Sequence, residues 1–93
     1  MTETTTTAKI IIQNKAGFHV RPITAFVQTA TKYKSSVKIK YQDQIINGKS
    51  VLECTLLAAP HKAELLIEAS GEDSEALMKE LEKLAESKFG LDD

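Results

Sequence analysis

The most restrictive feature of this sequence is the strict alternation of polar and apolar residues from Ser36 to Tyr41. A period of two is typical of a β-strand that buries one face and exposes the other. Only Gln42 and Asp43 separate this segment from a second short apolar run, so the two segments are predicted to form a hairpin. The lysines of the first strand share its outer face, which therefore meets water. The hairpin predicts an antiparallel sheet with one covered face.

The other periodic segments place helices between strands. Apolar residues recur at helical spacing after His19 and again in the last third of the chain. The predicted strands are Ala8–Gln13, Ser36–Tyr41, Gln44–Asn47 and Ala63–Ser70. The first predicted helix follows His19 and ends near Lys32 to Lys34, the second runs from about Val51 to Leu57, and the third from Asp73 to a stop near Gly90. The order β-α-β-β-α-β-α predicts an α+β fold in which three helices cover one face of the sheet.

Length and composition narrow the functional classes. Residues 1–93 are predicted to form a single domain, with residues 1–7 as a short flexible tail. The net charge of −1 offers no broad basic surface, and two tyrosines, three phenylalanines and no tryptophan give little for base stacking, so we expect no nucleic-acid partner. No apolar run approaches the ~20 residues of a membrane-spanning helix.

Cysteine and histidine usage add two further expectations. Cys54 is the only cysteine, which excludes an internal disulfide and suits a cytoplasmic location; helix packing is its expected role. His61 follows a proline in a loop and has no second metal ligand at useful spacing, so we expect an exposed side chain and neither a metal nor a cofactor.

The candidate functional stretch is Gly17-Phe18-His19-Val20-Arg21-Pro22. A helix start presents backbone N–H groups without intrahelical partners and the positive end of the dipole, which together favour an anion. Pro22 suits the first helical turn, and Arg21 carries a fork that matches phosphate. The same field disfavours imidazolium at His19 and keeps a ring nitrogen free to attack phosphorus. The resulting phosphohistidine would be held by the Val20 and Arg21 amides and the Arg21 side chain.

Two simpler interpretations stay open from the residues alone. A single His-x-Arg-Pro is not specific, so His19 could be a polar residue near a helix cap. Ser50 with Glu53 three residues later forms a predicted capping box, which explains that serine without any modification.

Three segments together give the chain a resemblance to a known family. The His19 stretch is similar to a Gly-Leu/Ile-His-Ala-Arg-Pro signature, Gly48-Lys49-Ser50-Val51 stands at the position of a Lys-Ser-Ile/Leu segment, and residues 69–73 are like the turn into the last helix. This pattern resembles the histidine-containing phosphocarrier (HPr) family of the bacterial phosphoenolpyruvate-dependent phosphotransferase system. The resemblance covers the chain from Lys9 to about Ala85.

The resemblance implies a fold and a reaction. The expected fold is an open-faced β-sandwich with sheet order 1-4-2-3. His19 would accept a phosphoryl group on Nδ1 from enzyme I and pass it to an enzyme II component, acting as a relay rather than as a turnover enzyme. Arg21 would steady the phosphate. A kinase/phosphorylase would modify Ser50 as a regulatory site, and a phosphate there would act mainly by repelling acidic groups of a partner.

The family also implies a docking surface on the first two helices. By position, its contact residues here would be Val20, Thr24, Val51, Leu52 and Thr55. The chain departs from the family pattern at several positions. Val20 and Ile23 are expected to enlarge the apolar rim around His19, and Glu53 adds a charge. Ala58 and Lys62 replace common glycines, so that loop would have a different backbone if either glycine needed a positive φ.

Three functional classes remain distinct at this point. A phosphocarrier is the leading hypothesis. Its alternative is a nitrogen-type or purely regulatory relative that signals by binding partners instead of feeding sugar uptake. A small nucleic-acid binder is disfavoured by charge and composition. Nothing in the sequence requires a dimer, and we expect a monomer.

Overall fold

Strands and helices alternate along the chain in the predicted order. The computed structural model describes residues 4–92. The elements are β1 (Thr5–Ile11), α1 (Val20–Thr31), β2 (Ser36–Tyr41), β3 (Gln44–Asn47), α2 (Val51–Leu56), β4 (Glu64–Ser70), α3 (Ser74–Glu86) and a final 3₁₀ turn, Lys88–Gly90, called here the C-terminal turn. The bounds of β2 and β3 match the predicted hairpin residue for residue, because β2 carries the period-two pattern and the two-residue connection Gln42–Asp43 fixes where the strands meet.

The four strands form one antiparallel sheet in the order β1-β4-β2-β3, which confirms the predicted topology. β4 lies between β1 and β2 and pairs with both along its length. Ile67 is opposite Ala8 on one side and Ile39 on the other, so apolar residues of three strands form a row across the covered face. The strand pairing therefore puts the apolar residues of neighbouring strands on the same face, as a half-buried sheet requires.

The core lies between this row and the helices. Its largest fully buried apolar side chains are Ile12, Ile23, Phe26, Ile39, Leu65, Ile67, Leu77 and Leu81. Burial of each such side chain stabilises the fold by ~1.5–3 kcal/mol. The opposite face carries two ion pairs, an exposed one between Lys9 and Glu64 at 3.2 Å and a half-buried one between Lys40 and Glu68 at 3.7 Å. The predicted open face is thus confirmed, and its exposed charges keep it solvated.

The predicted tail of residues 1–7 is wrong for its second half. Thr5–Thr7 belong to β1, where Thr5 pairs with Ser70, and the Thr4 carbonyl accepts from Gly71 N–H at 2.8 Å. β-branched threonines favour extended backbone, and pairing to β4 supplies partners that local sequence cannot show. Residues 1–3 lie outside the described part of the chain. At its other end β1 stops at Ile11, two residues before the predicted end.

The end of the last helix also differs from the prediction. α3 ends at Glu86, and the chain then reverses through the C-terminal turn instead of continuing to Gly90. Lys88 and Phe89 have φ values of 55° and 59°, in the left-handed region. Phe89 is buried in the core at 4 % exposure. The predicted stripe on α3 is confirmed for Leu77, Leu81 and Ala85, whereas Leu84 is only half-buried.

The loop between α2 and β4 keeps positive φ values without glycine. Ala58 has a φ of 51° and Lys62 a φ of 73°. Two side-chain-bearing residues thus adopt a conformation that glycine reaches more easily. Hydrogen bonds to the loop after β1 accompany it: Lys62 N–H donates to the Ile12 carbonyl at 2.7 Å, and Phe18 N–H donates to the Ala59 carbonyl at 2.9 Å.

Asp73 joins the two turns at one end of the sheet. Its carboxylate accepts from the Lys34 and Ser35 N–H groups at 2.8 and 3.0 Å and from the buried Ser35 hydroxyl. The hydroxyl bond, followed by the Lys34 amide bond, lowers the pKa of Asp73 below its ordinary value. A carboxylate at the N-cap of α3 thus bonds the α1–β2 connection instead of its own helix.

This arrangement predicts an acid-dependent contribution to stability. Since the folded-state pKa of Asp73 is depressed, its contribution is present above the unfolded-state pKa and is lost as pH falls through the folded-state pKa. Ser35→Ala removes the largest cause of the shift, so the variant should be less stable than wild type at pH 7. The deficit should shrink as the pH falls and Asp73 becomes protonated in both proteins.

Urea unfolding at pH 7 and at about pH 2.5 measures the difference. Ser36→Ala, at the exposed neighbouring position, is the matched control and should show little change at either pH. A Ser35→Ala deficit that is the same at both pH values would contradict the assignment to Asp73.

Candidate functional site

His19 is the N-cap residue of α1. Its backbone is extended, with φ −99° and ψ −170°, and its carbonyl accepts from Ile23 N–H at 2.9 Å. The side chain makes no capping hydrogen bond to the helix. The amides of Val20 and Arg21 belong to the first turn, where the helix supplies no acceptor. The structure therefore puts an imidazole beside an anion-favouring helix start.

Gly17 sets the approach of the chain to this position. It has a φ of 80°, and its N–H closes a turn on the Asn14 carbonyl at 2.9 Å. An added Cβ would lie 2.6 Å from the Ala59 carbonyl oxygen and 3.0 Å from Pro60 Cα. The same Ala59 carbonyl accepts from Phe18 N–H. Backbone packed this closely against backbone admits only glycine.

Two residues that support this loop, Asn14 and Phe89, are not identified by the sequence patterns. Asn14 is fully buried and donates from Nδ2 to the Lys88 carbonyl at 2.9 Å. The Phe18 ring contacts Phe26 edge-on and Phe89 at a tilt, each with centroids 5.8 Å apart. The only sequence signals are a polar residue directly after the first strand and a phenylalanine after the stripe of the last helix. Neither signal specifies its partner.

The apolar surface beside His19 spans α1 and α2, which pack against each other. Of the predicted contact residues, Val20 (60 %), Val51 (41 %), Leu52 (71 %) and Thr55 are exposed, whereas Thr24 is half-buried and donates to the Val20 carbonyl at 2.7 Å. Leu56, 66 % exposed, extends the same surface and was missed, although it follows Leu52 at helical spacing. Val20 directly follows the histidine, and the other exposed aliphatic side chains lie on α2, which packs against α1.

The expectation that Ile23 enlarges the apolar rim around His19 is wrong. Ile23 is 1 % exposed and lies in the core. Position 23 is in the first turn of α1, and the apolar stripe of that helix carries it inward. Arg21 is exposed and lines a groove of about 350 Å³ with Val20, Thr24, Ala25, Gln28, Phe89 and Leu91.

Ser50 is the N-cap of α2, as predicted. Its hydroxyl accepts from Glu53 N–H at 3.1 Å. The predicted capping box is only half present, because the Glu53 carboxylate accepts from Asn47 N–H at 3.0 Å, while Ser50 N–H bonds the Asn47 carbonyl. The β3–α2 turn thus supplies the competing partner. The Lys49 ammonium donates to the Tyr33 carbonyl at 2.8 Å, near the end of α1.

The remaining candidates are a buried thiol, Cys54, and an exposed loop side chain, His61. Cys54 is buried in α2, and burial, with a smaller effect of the Glu53 charge, raises its pKa to about 11. It is therefore a protonated thiol near pH 7, consistent with packing. His61 is exposed in the α2–β4 loop, which confirms its predicted exposure.

Gly17 gives a direct test of the loop geometry. Gly17→Ala combines an unfavourable positive φ with overlap on the Ala59 carbonyl and should lower the free energy of unfolding by roughly 2–4 kcal/mol. Gly90→Ala is the matched control. Gly90 has a similar φ of 75° but no atom within 4 Å of an added Cβ, so only the backbone cost of ~1 kcal/mol applies.

Chemical denaturation of both variants separates the two contributions. Equal losses at the two glycines would show that the approach to Ala59 carries no penalty.

Comparison with known proteins relates this chain to one protein family. A family model described as "PTS HPr component phosphorylation site" matches residues 6–87. Phosphocarrier protein HPr of Xylella fastidiosa is 32% identical over 84 residues, covering 90% of this chain and 94% of that protein. Phosphocarrier protein HPr of Neisseria meningitidis is 37% identical over 81 residues, covering 87% and 91%.

The solved structures agree with the sequence relatives. The crystal structure of HPr-C-His from Thermoanaerobacter tengcongensis superimposes with a TM-score of 0.89 at 36% identity, covering 94% of this chain and 98% of that one. Across residues 4–92, no helix has both the length and the apolar character needed to cross a bilayer. The family match includes the His19 loop, α1, α2 and Ser50. The chain belongs to the HPr family of phosphocarrier proteins of the phosphotransferase system.

Proposed function

We propose that this protein carries phosphoryl groups on His19 in the cytoplasm, accepting them from enzyme I and delivering them to an enzyme II component. The observation that carries the proposal is the position of His19 as the N-cap residue of α1, directly before Val20 and the exposed Arg21. Helix-start amides and a guanidinium are the groups that stabilise a phosphate dianion.

Phosphoryl transfer at this site needs one nucleophilic ring nitrogen. Nε2 of His19 is buried, which favours Nδ1 as the atom that bonds phosphorus. On acceptance the new N–P bond forms as the bond between phosphorus and the donor breaks. On delivery the recipient's nucleophile takes phosphorus and the ring nitrogen is the leaving group. The protein supplies orientation and charge stabilisation, and needs no cofactor for either step.

The apolar surface of α1 and α2 fits the proposed partners. A relay has to present the same histidine first to enzyme I and then to the recipient, so one exposed surface serves both in turn. Exposed Val20, Val51, Leu52 and Leu56 provide aliphatic contact without the cost of burying charge. A monomer leaves this surface open.

The direct test is phosphorylation by enzyme I and phosphoenolpyruvate, followed by intact mass. We expect one added phosphoryl group that is labile in acid, as a phosphoramidate is and a phosphoserine is not. His19→Ala should abolish the modification entirely. His61→Ala, which removes the exposed histidine of the α2–β4 loop, should leave it unchanged.

A folded wild-type protein that stays unmodified in the presence of active enzyme I would sink the proposal. Loss of the modification in His61→Ala with retention in His19→Ala would move the site to the other histidine.

Ser50 is proposed as a regulatory phosphorylation site for a kinase/phosphorylase. Its hydroxyl is already bonded at the start of α2, where added negative charge is favoured by the helix but opposed by the neighbouring Glu53 carboxylate. Val51 and Leu52 follow directly and are exposed. A phosphate at position 50 would therefore place charge at the edge of the proposed docking surface while the fold persists.

Ser50→Asp mimics part of this change. Asp is a good N-cap, so the free energy of unfolding should stay close to wild type. Acceptance of phosphate at His19 should fall by about fivefold to tenfold, since unfavourable charge at an interface lowers affinity. Ser36→Asp adds the same charge on β2 and should have no such effect. Equal transfer rates in the two variants, measured against enzyme I, would remove position 50 from the docking surface.

A further inference from the structure

The C-terminal turn contacts the loop that leads to His19 at two separate points. The Phe89 ring packs on Phe18, with centroids 5.8 Å apart. Nδ2 of Asn14 donates to the Lys88 carbonyl at 2.9 Å. Asn14 is fully buried and Phe89 is 4 % exposed, so water competes little for either contact. The first contact is one residue before His19, and the second is at the beginning of the loop.

The backbone of the turn is unusual. Lys88 and Phe89 adopt positive φ in succession, a conformation that residues with side chains rarely take and that persists where the surroundings hold it. Bonds from Gly90 N–H to the Ser87 carbonyl (2.9 Å) and from Leu91 N–H to the Lys88 carbonyl (3.1 Å) close the turn. The Lys88 carbonyl thus accepts from Leu91 and from Asn14.

The position of His19 depends on the residues that these contacts hold. Phe18 is fixed by two rings and by its own N–H bond to the Ala59 carbonyl. One ring comes from α1 and the other from the C-terminal turn. Removing the second would leave Phe18 held on one side only. His19 is the next residue along an extended backbone, so a rotation at Phe18 carries the imidazole away from the first-turn amides.

We propose that Asn14 and Phe89 are positioning residues for His19: the C-terminal turn holds the phosphoacceptor loop in the geometry required for transfer, without contacting the phosphoryl group. The proposal rests on the phosphoryl transfer proposed above. It differs from a purely structural role in one respect. Loss of these contacts should slow the transfer step more than the accompanying loss of stability explains, because small displacements of reacting groups are costly.

The variants are Asn14→Ala, which removes the donor, and Phe89→Ala, which removes the ring. Phe89→Leu is the conservative replacement and should retain part of the wild-type transfer rate. It replaces Phe89→Ala in the comparison if that variant does not fold. The matched control is Ile39→Val, a core truncation in β2, two strands away from β1. Urea unfolding ranks the stability losses of all four variants.

The first readout is transfer from phosphorylated enzyme I. We expect kcat to fall about tenfold in Asn14→Ala and Phe89→Ala with KM unchanged, because the exposed side chains of α1 and α2 are intact. Ile39→Val should transfer at the wild-type rate. A raised KM with unchanged kcat, or losses no larger than in Ile39→Val, would overturn the positioning role.

The second readout needs no phosphorylation. The ring resonances of His19 in nitrogen-15 NMR spectra should shift and broaden in both alanine variants, while those of His61 serve as an internal reference and stay in place. Unchanged His19 resonances would refute the proposal whatever the kinetics show. If wild type itself accepts no phosphate, the proposed function fails, and the NMR comparison still decides whether the turn positions His19.

Discussion

The connection from β1 to α1 is the constraint on which the site depends. An edge strand must become a helix within eight residues, and Val20 and Arg21 must reach solvent while Gly17 and Phe18 just before them are buried. The close approach of Gly17 to the Ala59 carbonyl makes this possible, because a side chain at position 17 would push the loop away from its neighbour. The Phe18 amide bond to the same carbonyl then fixes the chain one residue before the histidine.

The sheet and the helices hold the β1–α1 connection in place by packing against it. β4 lies beside β1 in the sheet, and the loop that precedes β4 supplies the Ala59 carbonyl. Phe26 of α1 and Phe89 of the C-terminal turn cover the Phe18 ring. Few groups carry the proposed chemistry: an imidazole, a guanidinium and backbone amides. Most of the molecule holds these groups at the edge of an aliphatic surface on α1 and α2.

Two features show how the environment of a residue decides its role. Asp73 stands at the N-cap of α3, yet its carboxylate bonds the α1–β2 connection, because two amides and a hydroxyl converge there. Glu53 stands where a capping box predicts a bond to Ser50, yet it bonds Asn47. In both cases a tertiary or turn partner replaced the local one. Ala58 and Lys62 show the same effect on backbone, since their loop keeps positive φ without glycine.

Local pattern was sufficient for the elements and for the residues that carry the proposed chemistry. The alternation of β2 and the two-residue connection to β3 determined the hairpin, the spacing of apolar residues determined the helices, and the run from Gly17 to Pro22 marked the helix start with His19 and Arg21. These features depend on neighbours in sequence. The pairing of the β1 threonines, the end of α3, and the contacts of Asn14 and Phe89 were decided only by the tertiary structure. Each depends on a partner that is distant in the chain, and no local periodicity encodes which partner that is.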